Sequence, residues 1–317
     1  MTRVLVSGAS GFLGLPLLAE LARGEREVHA LCTRAARPAP VSAAALGAVR
    51  WHQLDLRDHV ALDELVGELR PEQLVHLAWI TAHGRYWQAA ENLDWVAHSL
   101  CLLRAFARRG GRRLVVAGTC AEYDWSHAAA PLSESLSPLA PATLYGAAKD
   151  ALRRVAEAYA RQEGIELAWG RLFFLYGPRE APARLVPSVA RSLLRGEAVA
   201  TGSDQRVRDF MHVQDAASAI AALLDSDVVG AVNIASGIAT TVGGLLDALA
   251  AATGRGELLR RGALPDRPGE PAVLLADVAR LRDEVGFRAR WELADGIAET
   301  VRWWAEREAL AAAPSAA

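Results

Sequence analysis

The sequence predicts an α/β protein with a doubly wound parallel sheet and a smaller mixed α/β region beside it. Three observations predict this: short β-branched runs alternate with helix-length stretches, a glycine-rich turn closes the first run, and the alternation breaks after Gly177-Pro178. Residues 3–7, 28–32, 50–54, 74–78, 114–117 and 167–172 read as strands. Strands separated by helix-length connections form βαβ units, whose right-handed crossovers build a parallel sheet covered on both faces. Past Gly177-Pro178, Pro182, Pro187, Pro265, Pro268 and Pro271 interrupt short elements, although residues 185–194 keep a helical pattern. A helix over 213–224 and a strand over 231–235 read as a return to the sheet. The expected division is 1–172 plus 210–236 for the main domain and 173–209 plus 237–317 for the second region.

The 317 residues are 52% hydrophobic and 23% charged with a formal net charge of −2. That length can bury a sizeable core, and the charge gives no global attraction to nucleic acid or to a membrane surface. An anionic ligand must therefore be held by local basic groups. Cys32, Cys101 and Cys120 have neither disulfide nor metal-ligand spacing, which points to a reducing compartment and no metal. The N-terminus enters an apolar strand at once, without the features of a secretory signal, and no apolar run is long enough to span a bilayer, so a cytoplasmic location is expected. The Ala/Pro/Ser tail over 310–317 is expected to fray.

The strand over 3–7 runs directly into Gly8-Ala9-Ser10-Gly11-Phe12-Leu13-Gly14 and then a Leu/Ala-rich helix. Glycines there allow a tight turn and close approach of the backbone to a pyrophosphate, which sits at the positive end of the helix. A glycine triplet alone is equally a tight βα turn; its place after a strand and before a helix favours a dinucleotide. The Gly-x-x-Gly-x-x-Gly spacing and Gly-Phe-Leu-Gly ending resemble the extended short-chain dehydrogenase/reductase superfamily of sugar epimerases, dehydratases and reductases. The resemblance implies a Rossmann domain, with Gly8, Ser10, Gly11, Phe12, Leu13 and Gly14 on the cofactor. The second strand is followed by Thr33-Arg34 instead of an acid. A cation there suits a 2′-phosphate, so NADP is favoured over NAD. Asp55 and Leu56 fall where the family grips adenine, and His76-Leu77-Ala78-Trp79 replaces a familiar His-Leu-Ala-Ala that passes over the cofactor. His76 itself reads equally as a core histidine.

Tyr145 and Lys149 stand four residues apart where a helix begins after Pro138 and Pro141, which puts both on one face. A phenol with a reference pKa near 10 needs a shift of up to about 3 units, roughly 4 kcal/mol, to exchange protons near neutrality, and an adjacent ammonium and a bound nicotinamide cation help supply it. Thr119, after the strand over 114–117, resembles the family hydroxyl that completes a triad with Tyr145 and Lys149. In the family's dehydratases the next two positions are typically Asp and Glu. Here they are Cys120 and Ala121, which cannot do that acid and base work and read as pocket-lining residues.

Leu132-Ser133-Glu134, Tyr176-Gly177-Pro178, Arg208-Asp209-Phe210-Met211-His212-Val213, Arg267-Pro268-Gly269-Glu270 and Ala276-Asp277 extend the resemblance over nearly the whole chain. It implies a nucleoside diphosphate sugar as substrate, with Arg208 and Arg267 on its phosphates. Phe174 stands where many relatives have a diphosphate-binding Asn, and Phe173 is expected near the nicotinamide. Trp79, Trp87, Trp95, Trp125 and Tyr86 crowd the segments bordering the site, and His83 is nominated as a pocket group. The expected reaction is NADPH-dependent reduction of a keto group, at C4 of a deoxysugar nucleotide. The alternatives are an NAD-retaining 4-epimerase and a non-catalytic dinucleotide sensor. The resemblance also implies a homodimer through the helix over 93–108 and the Tyr/Lys helix.

Overall fold

The computed structural model describes residues 1–33, 47–127, 131–265 and 269–312. Seven strands form one sheet: β1 (Thr2–Ser7), β2 (Arg26–Cys32), β3 (Arg50–Gln53), β4 (Gln73–His76), β5 (Arg113–Thr119), β6 (Glu166–Leu172) and β10 (Gly230–Ile234). Their spatial order is β10-β6-β5-β4-β1-β2-β3 and every pairing is parallel. Strand order reverses between β1 and β4. A crevice beyond the carboxyl ends of the strands at such a switch point is the ordinary ligand position in this architecture.

Because both faces are covered, successive side chains of one strand enter different cores. Val4 and Val6 pack with α1 (Gly14–Leu21) and α6 (Val213–Asp225). Leu5 packs on the other face with α2 (His59–Leu69), α3 (Glu91–Arg108) and α4 (Leu144–Glu163). The parallel sheet therefore reads as continuous apolar runs.

The remainder is a mixed sheet, in which β9 (Val207–His212) pairs with β7 (Phe174–Tyr176) and β13 (Val273–Leu274) in parallel and with β11 (Ala239–Thr241) antiparallel. Two short strands, β8 (Val199–Ala200) and β12 (Leu259–Arg260), pair separately. Helices α5 (Leu185–Leu194), α7 (Val242–Thr253) and α8 (Leu293–Ala312) share a third core around Leu193, Leu246 and Ile297. Residues 210–212, expected with the main domain, thus sit in the small sheet, and the chain returns to the large one with α6 and β10. Among the described residues, no helix is long and apolar enough to cross a membrane.

Candidate active site

The glycine turn is shaped by how closely other backbone approaches it. Gly8 has φ 69°, and a Cβ there would lie 2.7 Å from the Ala78 nitrogen; a Cβ on Gly14 would lie 2.6 Å from the Ala9 oxygen. Both positions exclude any side chain. Ser10 and Gly11 remain exposed at the start of α1, while Leu13 is buried and Phe12 half-buried. Bare backbone at a helix N-terminus fits a dinucleotide pyrophosphate. Beneath it, His76 bridges the Ser7 hydroxyl (2.6 Å) and the Ser99 hydroxyl (2.8 Å), tying β1 and β4 to α3. Burial pushes its imidazole down to about 3, so it is neutral and structural.

Asp55, after β3, takes a bidentate interaction from Arg57, which holds its carboxyl below the usual range. It is thus an ionised acceptor. Leu56 is buried, and Leu77 and Ala78 are half-buried beside Gly8. Thr33 follows β2 and is exposed; Arg34 and Arg267 lie outside the described residues.

Thr119 ends β5 and caps the turn after it: its hydroxyl accepts from Ala121 N (3.2 Å), and its own N–H donates to Glu122 Oε1 (2.9 Å). Thr143 caps α4 by accepting from Gly146 N at 3.1 Å. A Cβ on Gly146 would run into the Ala121 carbonyl and lie 2.9 Å from Pro141 Cβ. That missing side chain lets α4 close on the Thr119 turn, where the hydroxyls of Tyr145 and Thr119 share a hydrogen bond. Lys149 donates to the Ala117 carbonyl at 2.7 Å, and its ammonium lies 3.9 Å from the centroid of the Trp79 ring.

The chain's own groups do not by themselves acidify the phenol. Burial pushes the Tyr145 phenol up, with Tyr86, Cys120 and Glu122 adding to the rise and the Thr119 hydrogen bond opposing it. Burial also pushes the Lys149 ammonium down to about 7, against the attraction of Glu122. Both groups are driven toward their neutral forms. The ammonium finds a carbonyl and an indole instead of acting chiefly on the phenol.

Glu122 does not reach the site as an acid or base. It is fully buried, accepting from Trp169 Nε1 (2.9 Å), Arg171 Nε (2.8 Å) and the Thr119 amide. Cys120 is buried with its thiol pushed up to about 12, first by desolvation and then by Glu122, which leaves it a neutral wall beside buried Ala121.

Around the phenol stand rings from the segment before α3: Tyr86 edge-on at 5.0 Å and Trp87 at 5.7 Å, with Trp125 behind at 6.1 Å from Trp87. Of this stretch the sequence nominated His83, which is exposed on the turn before Tyr86. Phe173 is buried, 6.5 Å from the Tyr123 ring, and Phe174 packs on Phe210. Arg208 was expected open to a phosphate. It is 4% exposed, bound to Glu270 at 2.8 Å and to the carbonyls of Val207 and Ala272, with Phe174 beneath it.

Sequence reasoning missed three features. Lys149 is the only lysine in the chain, a signal available from a simple count. Glu122 and Gly146 act through partners that become neighbours only on folding.

The family model described as "NAD dependent epimerase/dehydratase family" matches residues 4–235. A dTDP-glucose 4,6-dehydratase from Streptomyces antibioticus is 30% identical over 96% of this chain and 93% of its own length. The crystal structure of Thermus thermophilus UDP-glucose 4-epimerase with NAD superposes with a TM-score of 0.79 at 25% identity, covering 96% of this chain and 99% of that one. MoeE5 in complex with UDP-glucuronic acid and NAD gives 0.81 at 28% identity, covering 96% and 99%. A match over residues 4–235, spanning the glycine turn, Thr119 and the Tyr145/Lys149 helix, makes this chain a member of the NAD-dependent epimerase/dehydratase family.

Proposed function

We propose that the protein reduces a keto group, at C4, of a nucleoside diphosphate deoxysugar, with NADPH as hydride source. The observation that carries this is a placement: the half-buried Tyr145 phenol is hydrogen-bonded to Thr119 on the turn that bears Cys120 and Ala121, so it can hand a proton to an oxygen there with no second acid or base beside it. Thr119 orients the sugar oxygen, Tyr145 gives it a proton, and Lys149 holds the nicotinamide ribose. A nicotinamide cofactor held at the glycine turn would supply the hydride. An epimerase of this branch would use the same triad and retain NAD, and the sequence has no acid at Thr33 or Arg34 to receive the ribose 2′-hydroxyl of NAD. A dehydratase like the Streptomyces antibioticus relative would need a second acid and base beside Thr119. Cys120 and Ala121 stand there, and Glu122 is committed to Arg171 and Trp169.

NADP is favoured by the absence of an acid at Thr33 and by Arg34 in the sequence. Arg208, presently paired with Glu270, would exchange that partner for a substrate phosphate, and Arg267 would join it. Phe174, His83, Cys120 and Ala121 would line the sugar end, with Phe173 toward the nicotinamide. The exposed faces of α3 and α4, with Leu93 61% and Val155 50% exposed, support a homodimer through these helices.

The test is to incubate purified protein with NADPH and a 4-keto-6-deoxy sugar nucleotide, or with UDP-glucose. Stoichiometric NADPH loss with the keto sugar alone supports reduction. Interconversion of the C4 epimers without net redox change would instead establish the epimerase.

A further inference from the structure

The surroundings of Lys149 hold more than its ribose-binding role requires. Its ammonium donates to one carbonyl, Ala117 O, and presents a second face to the indole of Trp79 at 3.9 Å. Three N–H groups are available to an ammonium, so a third remains for a ligand hydroxyl. The indole is itself held: Trp79 is 8% exposed, and its Nε1 donates to Asn92 Oδ1 at 2.8 Å. Asn92 is fully buried and donates both amide hydrogens to backbone, at Tyr86 O (2.7 Å) and Ala89 O (2.9 Å). Tyr86 in turn sets its ring edge-on against Tyr145. One side chain thus touches the lysine directly and, through Asn92, fixes the backbone of the residue that abuts the phenol.

We infer that Trp79 is a positioning residue for the proton-transfer pair, clamping the Lys149 ammonium with its ring face and the Tyr86 wall of Tyr145 with its N–H. Attraction between a cation and an aromatic face is strongest for tryptophan and grows when the pair is desolvated. An alanine at this position would offer neither the face nor the donor. Other titratable groups around the ammonium are His76 from β4, Glu122 from the turn after β5, and Tyr145 on its own helix. His76 is neutral, and the indole face at 3.9 Å adds to the attraction of Glu122 in favouring the charged amine. The inference rests on Tyr145 and Lys149 being the reacting pair, and its test separates from that reading because the contact is readable without turnover.

With a single lysine in the chain, protein labelled with ¹³C,¹⁵N-lysine gives one ε-methylene signal and one ammonium titration. The ε-methylene protons of the full-length protein are expected upfield of an exposed lysine, from the indole ring current. Trp79→Leu should abolish that shift and lower the ammonium titration by about 1 unit, while Trp79→Phe falls between. In turnover with a keto sugar nucleotide, Trp79→Leu should lower kcat about tenfold with substrate KM within about threefold, and Trp79→Phe should recover most of kcat. An unshifted ε-methylene in the wild type, or a titration equal in wild type and Trp79→Leu, overturns the inference. If Trp79→Leu does not fold, the wild-type shift and the Trp79→Phe titration decide in the same way. A shifted signal lost in Trp79→Leu, alongside a wild type that reduces no keto sugar, supports the clamp and overturns the reductase reading.

Discussion

Burial acts on Tyr145 and Lys149 toward the same end, the uncharged form, and the consequences for stability can be signed. The Lys149 ammonium titrates near 7 in the folded chain, below its ordinary value. Between about pH 7 and 10 the unfolded chain therefore binds more protons, and stability rises with pH across that window. Lys149→Met should melt higher than the wild type at pH 7, by on the order of 2–4 kcal/mol, with the gap closing toward pH 10. The same variant should lose turnover. Glu180 has the opposite sign. It is buried with Oε2 unpaired, and desolvation pushes its carboxyl up to about 8 against the pull of Arg184. The folded chain then binds more protons between about pH 4.5 and 8, so stability falls as pH rises through that window. Denaturant titration of Glu180→Gln should show a gain of about 2–4 kcal/mol at pH 8 that vanishes below pH 4.5. No gain at pH 8 would mean that the carboxyl is solvated or paired in solution. Residue identities were legible at this scale: the four-residue spacing of Tyr145 and Lys149, and Thr119 after its strand. Their charge states were not, because the direction of each shift depends on burial that only the folded chain creates.

At the scale of elements, β5 and its turn decide the site's rigidity. The strand pattern over 114–117 stopped short of the observed end because Gly118 is a poor strand former, yet Gly118 pairs with Arg171 and Thr119 with Leu172 in the β5–β6 ladder. A Cβ at Gly118 would collide with Trp169 Nε1 and lie 2.7 Å from Glu122 Oε1, so glycine there makes room for the buried carboxylate. Glu122 meets Trp169 and Arg171, 47 and 49 residues away, which no local pattern can reveal. Glu122→Gln leaves the Arg171 guanidinium, 1% exposed, without its counter-charge and should cost about 3–5 kcal/mol in urea unfolding. A loss under about 1 kcal/mol would show that Tyr123 and its neighbours suffice for Arg171.

For the whole molecule, the alternation of strands and helices made the large sheet legible, because each βαβ unit is local in sequence. The small sheet was less so: β7, β11 and β13 are two or three residues long and come to β9 from distant parts of the chain. Short strands carry almost no periodicity, and their pairing is set by tertiary packing. At this scale the dimer is also testable. Sedimentation should give a dimer, and Val155→Glu, placing a charge on the exposed α4 face, should give a folded monomer. An unchanged dimer would place the interface elsewhere.

In the proposed reduction Tyr145 delivers the proton as hydride reaches the sugar carbon. Its most direct test is the single-turnover rate of NADPH oxidation by a 4-keto sugar nucleotide, wild type against Tyr145→Phe, followed from neutral to alkaline pH. A protonated phenol is required, so the wild-type rate should fall as the phenol ionises, and Tyr145→Phe should be slower by about 10²–10⁴-fold with no such fall. A Tyr145→Phe rate within a few-fold of the wild type, or a wild-type rate that climbs as the phenol ionises, would rule out Tyr145 as the proton donor.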